Sequence, residues 1–228
     1  MVVIAIDGPS GSGKSSVSRA LAQEFGWAYL DTGALYRTLT LLALQSKAEF
    51  LARISEGNRQ GSELISWIGD PRDPQVLLKG ERVNTLIRSQ EITDRVSEIA
   101  ANPQVRSYLL EIQRTLINQA TRGIVVEGRD IGTTVWPDAE LKIFLTADLE
   151  ARAARRSAEL QDQNNEREVG QSLAQRDAID SSRSISPLRQ ADDQIVVDAT
   201  HLTLAEVVAE ISKKIKELRL MNDGANNE

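Results

Sequence analysis

Apolar residues gather along this chain in short runs separated by longer stretches of helical period. Five runs read as buried strands: Val2–Ile6, Trp27–Leu30, Ile124–Val126, Leu141–Thr146 and Gln194–Val197. They favour Val, Ile and Leu without alternating polar residues, the pattern of parallel strands covered on both faces. Between them the spacing predicts helices over Lys14–Phe25, Ala34–Leu44 and Leu149–Leu160, with Asp31 and Thr32 as N-cap candidates for the second. Thr203-Leu-Ala-Glu206 has the form of a capping box and opens a last helix toward Leu218. Strands alternating with helices predict an α/β fold on a mostly parallel sheet.

The interval between the second and third strands is far too long for one crossover. Within it, Val76–Val83 reads as a hairpin turning at Lys79-Gly80, and Ile92–Ile99 and Pro103–Leu116 read as helices. Residues 45–119 are therefore expected to form an inserted lobe that folds partly on its own, leaving 1–44 and 120–228 as the core. Gln161–Gly170 is polar and charged and is expected to be a mobile flap. The tail from Met221 to Glu228 is expected to be disordered.

Composition narrows the chemistry. The 228 residues include no cysteine and one histidine, His201, which removes disulfide frameworks, thiol nucleophiles and zinc fingers. A formal charge of −6 argues against non-specific binding to a nucleic acid duplex, so any anion site must be local. Val2–Ile6 is halted by Asp7 and Gly8, too short for a signal peptide, and the apolar stretch Leu39–Leu44 is far too short to cross a bilayer. The expectation is a soluble, cytoplasmic monomer without membrane or nucleic acid partners.

The most informative stretch is Gly8-Pro9-Ser10-Gly11-Ser12-Gly13-Lys14-Ser15-Ser16, which fits G-x-x-x-x-G-K-[ST] directly after a strand and ahead of a helix. Glycines let backbone N–H groups curl around phosphate oxygens, and the following helix presents its positive end. In such a loop Lys14 supplies charge to the transferring phosphate, and the Ser15 hydroxyl is the expected ligand for Mg2+. A glycine-rich surface turn is the plain alternative, but the strand–loop–helix context favours a nucleoside triphosphate. The N-K-x-D of a GTPase and the L-S-G-G-Q of a transporter ATPase are both missing.

Between positions 80 and 190 there are fourteen arginines and one lysine, Lys142. Any one arginine suits a solvated helix face. The set favours recognition of anions, because planar guanidinium forks grip phosphate and carboxylate through two bonds. Glu127, Arg129 and Asp130 follow the third strand and Asp31-Thr32-Gly33 closes the second, where open α/β sheets place their ligand crevice. Arg176, Asp177, Asp180 and Arg183 recur at helical spacing and can share a face.

These segments together resemble the bacterial cytidylate kinases, a family of nucleoside monophosphate (NMP) kinases. The resemblance rests on Ile6-Asp-Gly-Pro-Ser-Gly-Ser-Gly-Lys-Ser15, Leu30-Asp-Thr-Gly-Ala-Leu-Tyr-Arg37 and Glu127-Gly-Arg-Asp-Ile-Gly-Thr133. Trp136–Leu145, Arg176-Asp177 with Ser186-Pro-Leu188, and Val197–Leu202 continue it in order. It implies a P-loop NTPase-type core, a five-stranded parallel sheet flanked by helices, with an inserted NMP-binding lobe and a short lid at about 150–170. It implies ATP as donor with Mg2+, and CMP or dCMP as acceptor. It also implies that Thr32, Arg37, Arg129 and Arg183 hold the acceptor phosphate and that Tyr36, Arg176 and Asp180 surround the ribose. Ser97, Arg106 and Asp130 would read cytosine, and the arginines of Arg152-Ala-Ala-Arg155-Arg156, Arg155 and Arg156 above all, would belong to the lid hinge and reach the ATP phosphates. Lys14, Arg129 and Arg183 are the residues so expected to act in catalysis. Glu127 and Trp136 stand where the family commonly has Asp and Phe. A kinase for UMP or AMP, or a nucleotide-binding regulatory protein without kinase activity, stay as alternatives.

Overall fold

The computed structural model describes residues 1–56, 64–159 and 166–225, with side chains to Glu217 and Leu218. β1 (Val2–Asp7) leads through the glycine-rich loop into α1 (Lys14–Phe25), and β2 (Ala28–Asp31) runs straight into α2 (Thr32–Gln45). The insertion supplies α3 (Lys47–Glu56), β3 (Ile65–Ile68), β4 (Gln75–Leu78), β5 (Glu81–Arg82), a 3-10 turn at Leu86–Arg88, α4 (Gln90–Ala101) and α5 (Pro103–Asn118). The chain then returns through β6 (Gly123–Gly128), a π-helical turn at Ile131–Val135, β7 (Leu141–Thr146), α6 (Leu149–Glu159), α7 (Glu166–Ser182), β8 (Ile195–Asp198) and α8 (Leu204–Ala225).

Five strands form one sheet in the order β2-β6-β1-β7-β8, with every neighbouring pair parallel. The expected five-stranded parallel sheet is thus present. Its unbroken apolar runs follow from burial on both sides. Val3 and Ala5 of β1 join a cluster with α2, while Ile4 and Ile6 join one with α1 and α8. β2 begins one residue later than the pattern predicts, because Trp27 N–H closes the end of α1 on Ala22 O after Gly26 takes a φ of 64°. The Trp27 ring then stacks on Phe25 and covers Gly123, where a Cβ would lie 2.7 Å from the ring.

The predicted hairpin is β4–β5, and both turn residues, Lys79 and Gly80, have positive φ, as a two-residue I′-type connection requires. β3 adds a third antiparallel strand beside β4. The insertion packs on the sheet's own core. One cluster runs from Leu30 and Val126 through Leu35, Leu39 and Leu42 to Val76, Ile87, Ile92, Val105 and Leu109.

Two expectations are corrected. Glu166–Gly170, placed in a mobile polar flap, is the first turn of α7, because Val169 packs on Ala153 and Leu173. Positions 161–165 of that flap lie outside the described residues. At the other end, α8 continues to Ala225 where a disordered tail was expected after Met221, and 226–228 lie outside the described residues. The capping box that opens α8 is reciprocal: Thr203 N–H donates to Glu206 Oε2 at 2.8 Å, and Glu206 N–H donates to Thr203 Oγ1 at 3.3 Å. Among the described residues no helix is long and apolar enough to cross a membrane.

Candidate active site

The phosphate loop leaves the carboxyl end of the central strand. Only glycine fits its first position, since a Cβ on Gly8 would lie 2.0 Å from Leu145 O. Gly13 caps α1 with φ 92° and no side-chain bond, so the first N–H groups of the helix stay open to an anion. Lys14 is buried and folded back on the loop, donating to Pro9 O at 2.6 Å and Ser12 Oγ at 3.2 Å. Burial, and next the charge of Arg129, pull its pKa well below the ordinary lysine range. A phosphate in the loop would supply the missing counter-charge.

Ser15 Oγ donates to Glu127 Oε2 at 3.0 Å, and Tyr29 O–H donates to Glu127 Oε1. Glu127 is fully enclosed at the end of β6, and burial raises its pKa above the usual carboxylate range. Thr32 Oγ1 donates to the Glu127 carbonyl at 2.7 Å, tying β2 to β6 at the mouth of the site.

Beside the loop lies a cavity, and all ten residues named above for the acceptor line it: Thr32, Tyr36, Arg37, Ser97, Arg106, Arg129, Asp130, Arg176, Asp180 and Arg183. They come from the α2 start, α4, α5, the end of β6 and α7. Five guanidinium groups face two carboxylates there. Asp180 accepts from Arg129 Nε at 2.9 Å and from Arg183 Nη2. Arg129 Nη2 also donates to Ser10 Oγ at 2.8 Å, joining the cavity to the phosphate loop. Asp130 Oδ2 accepts from Arg106 Nη2 at 2.5 Å, and the Arg106 guanidinium lies 5.5 Å from the centre of the Tyr36 ring. Arg37 reaches Ile87 O and Thr93 Oγ1 on the insertion, at 3.1 and 2.9 Å.

The cavity is short of negative charge. Burial, reinforced by Arg176, pulls Arg37 down to about 10. Burial, reinforced by Arg129, does the same to Arg176. Arg106 Nε, Arg176 Nε and Arg183 Nε are buried donors without a partner. Buried N–H groups in this state are costly unless a ligand accepts from them.

Residues 4–217 match the family described as cytidylate kinase. The chain belongs to the cytidylate kinase family. A cytidylate kinase of Streptomyces avermitilis is 49% identical over 220 residues, covering 96% of this chain and 94% of its own. One from Acholeplasma laidlawii is 42% identical over 228 residues, covering 99% and 98%. An uncharacterised protein from Eubacterium ventriosum shares the fold, with a TM-score of 0.51 and 13% identity over 95% of this chain and 99% of its own. Membership makes the chain a kinase, an enzyme of phosphoryl transfer to a small-molecule substrate.

The arginines expected to serve a lid divide. Arg155 donates to the carbonyls of Ala199 and Leu202, away from the phosphate loop, and Arg156 pairs with Glu159 at 2.8 Å. Arg152 meets the loop instead, donating from Nη1 to Ser10 O at 2.9 Å and to Asp177 Oδ2. Asp177 Oδ1 accepts from Ser10 N–H at 2.9 Å. Two residues of this site carry a sequence signal without an assigned role: Asp177 in the α7 spacing and Glu127 after its strand. Thr93 and Tyr29 had none, because only the tertiary packing brings them to Arg37 and Glu127.

Proposed function

We propose that this enzyme transfers the γ-phosphoryl group of ATP to CMP and dCMP, yielding ADP with CDP or dCDP. The observation that carries this reading is the arginine-lined cavity with three guanidinium N–H groups that have no partner among the described residues, joined to the phosphate loop through Arg129 and Ser10. Phosphoryl transfer depends on positioning and charge stabilisation and needs no covalent intermediate. Gly8 to Ser16 bind the donor, Lys14 stabilises charge on the transferring group, and Arg129 and Arg183 stand between donor and acceptor. Thr32, Arg37, Arg129 and Arg183 hold the acceptor phosphate. Tyr36, Arg176 and Asp180 face the ribose, and Ser97, Arg106 and Asp130 face the base. Of the lid arginines, Arg152 is the one in contact with the donor loop.

Mg2+ suits the donor side. The Ser15 hydroxyl would hold it, with the buried Glu127 carboxylate fixing that hydroxyl from behind. Bound there, Mg2+ neutralises charge on the donor phosphates. The insertion and the α6–α7 lid close over the substrates and keep water from the phosphoryl group. The enzyme acts as a cytoplasmic monomer on small molecules.

ADP release measured against CMP, dCMP, UMP and AMP tests the reading. CMP and dCMP should exceed UMP and AMP by at least tenfold in kcat/KM. A preference for UMP or AMP would replace the acceptor, and turnover indifferent to any acceptor would overturn the kinase reading.

A further inference from the structure

Asp7 is the last residue of β1 and pairs in register with Gly128 of β6, so it sits directly behind Arg129 and Asp130. It is fully buried. Its Oδ1 accepts from Ile131 N–H at 2.8 Å, and its Oδ2 accepts from Gly132 N–H at 2.8 Å and Gln194 Nε2 at 3.0 Å. Ile131 and Gly132 open the π-helical turn, and the residue in the N-cap position of that turn is Asp130.

An aspartate at an N-cap ordinarily turns its carboxylate onto the free N–H groups of the turn it opens. Asp130 makes no such bond. Its carboxylate points the other way, onto Arg106 in the acceptor cavity. The Gly132 N–H it could have capped is instead capped from outside by Asp7, together with the Ile131 N–H beside it. We infer that Asp7 is a positioning residue for acceptor recognition: by capping the π-helical turn in place of Asp130, it leaves the Asp130 carboxylate free to read the base. This rests on the base-facing role given to Asp130 above.

The surrounding bonds leave little room for a substitute. Gln194 cannot turn its amide over, because its Oε1 accepts from Ala191 N–H at 2.9 Å and its Nε2 also donates to Ile143 O at 3.1 Å. Three donors therefore converge on Asp7 in a fixed arrangement. An asparagine there has one oxygen for them, and its NH2 must face a donor. Asp130 is then the nearest acceptor for the uncapped turn, and capping it takes its carboxylate off Arg106. The expected defect is one of base discrimination, beyond any loss of folded protein.

The test compares kcat/KM for CMP and UMP, at saturating ATP, in the wild-type chain and in Asp7→Asn, Asp130→Asn and Gln194→Ala. Asp7→Asn should lower the CMP:UMP ratio at least tenfold and raise KM for CMP more than KM for ATP. Gln194→Ala removes one donor but neither turn bond, and should keep the ratio within about threefold. A merely structural Asp7 would lower both activities in parallel with the ratio kept, and that result overturns the inference. A changed ratio in Asp130→Asn with an unchanged one in Asp7→Asn overturns it while sparing the base-reading role. An unchanged ratio in Asp130→Asn overturns both. Should Asp7→Asn fail to fold, Asp7→Glu takes its place under the same criteria, since its longer stem cannot meet both N–H groups in the present register.

Discussion

Replacing Asp130 by asparagine should convert a cytosine pocket into one that tolerates uracil, and the structure dictates how. Asp130 Oδ2 is held by Arg106 Nη2, while among the described residues no donor is bonded to Oδ1. Cytosine presents an N4 amino donor where uracil presents a carbonyl. A free carboxylate oxygen accepts from the first and repels the second. In Asp130→Asn the amide cannot choose its orientation, because Arg106 is all donor and takes the remaining oxygen. The NH2 is left facing the base, where it clashes with the N4 donor and can donate to uracil O4.

The magnitude follows from counting bonds. CMP loses one hydrogen bond to a charged group, about 1.5–3 kcal/mol, and UMP gains a neutral one, about 1 kcal/mol. The CMP:UMP ratio of kcat/KM should therefore fall by about two to three orders of magnitude, at 1.36 kcal/mol per decade. Steady-state ADP release with each acceptor at saturating ATP measures it. The Arg106 contact survives, so the variant should stay folded, and a melting curve checks that. A ratio unchanged within threefold, with both activities uniformly lower, would show that Asp130 only neutralises Arg106. The pocket's base preference would then have to come from elsewhere.

Lys14→Ala should reduce kcat by roughly 10²–10³-fold, the scale for removing one preorganised donor, with an unchanged circular dichroism spectrum; near-full activity would remove the loop from the mechanism. Arg183→Ala should weaken CMP binding by about 2–5 kcal/mol in calorimetry while ATP binding holds, and equal losses for both would contradict a dedicated acceptor site. Burial raises Asp7 from 3.8 to about 6, so between those values the folded chain keeps a proton that the unfolded chain has lost. The unfolding free energy of wild type relative to Asp7→Asn should accordingly fall by up to about 3 kcal/mol as pH rises from 4 to 6, and a flat difference in denaturant titrations would refute it. Backbone amides of Glu166–Gln171, at the start of α7, should gain hydrogen-exchange protection when ATP analogue and CMP bind together, and exchange indifferent to both would argue against lid closure.

The parts of this fold legible in the sequence are those where one local rule leaves little choice. Strand runs such as Ile4-Ala5-Ile6 announce a sheet covered on both faces, and Gly8 announces a backbone pressed against Leu145 O. Lys79-Gly80 demands two positive φ values between short apolar runs. α3 and β3 were missed because they are short and offer little periodicity: Phe50 and Ile54 are one helical turn apart, and Ile65–Ile68 is four residues long. The site divides in the same way. Glycine spacing marks the donor loop by itself, whereas the ten residues expected at the acceptor were named by resemblance, and the structure lines one cavity with them. Neither could say which lid arginine meets the loop. Arg152 and Arg155 have the same chemistry, and only the packing of α6 turns the first toward Ser10 and the second toward Ala199.

Donor loop and acceptor cavity are separate in sequence and in the elements that build them, yet α7 touches both. Asp177 takes Ser10 N–H, and one turn later Asp180 takes Arg129 and Arg183. Residues three apart share a helix face, so a rotation or shift of α7 cannot move one contact and leave the other. Among the described residues the apolar cluster within the α6–α7 pair holds Ala153, Val169 and Leu173, a small set beside these polar bonds. Under the proposed roles, substrate phosphate on either side would compete for the same guanidinium groups that fix the helix. Filling the donor loop would therefore change the partners available to Arg129 and, through Asp180, the proposed acceptor clamp. A kinase that must avoid hydrolysing ATP in the absence of acceptor gains from this arrangement, because the helix that completes one half of the site is held by the other.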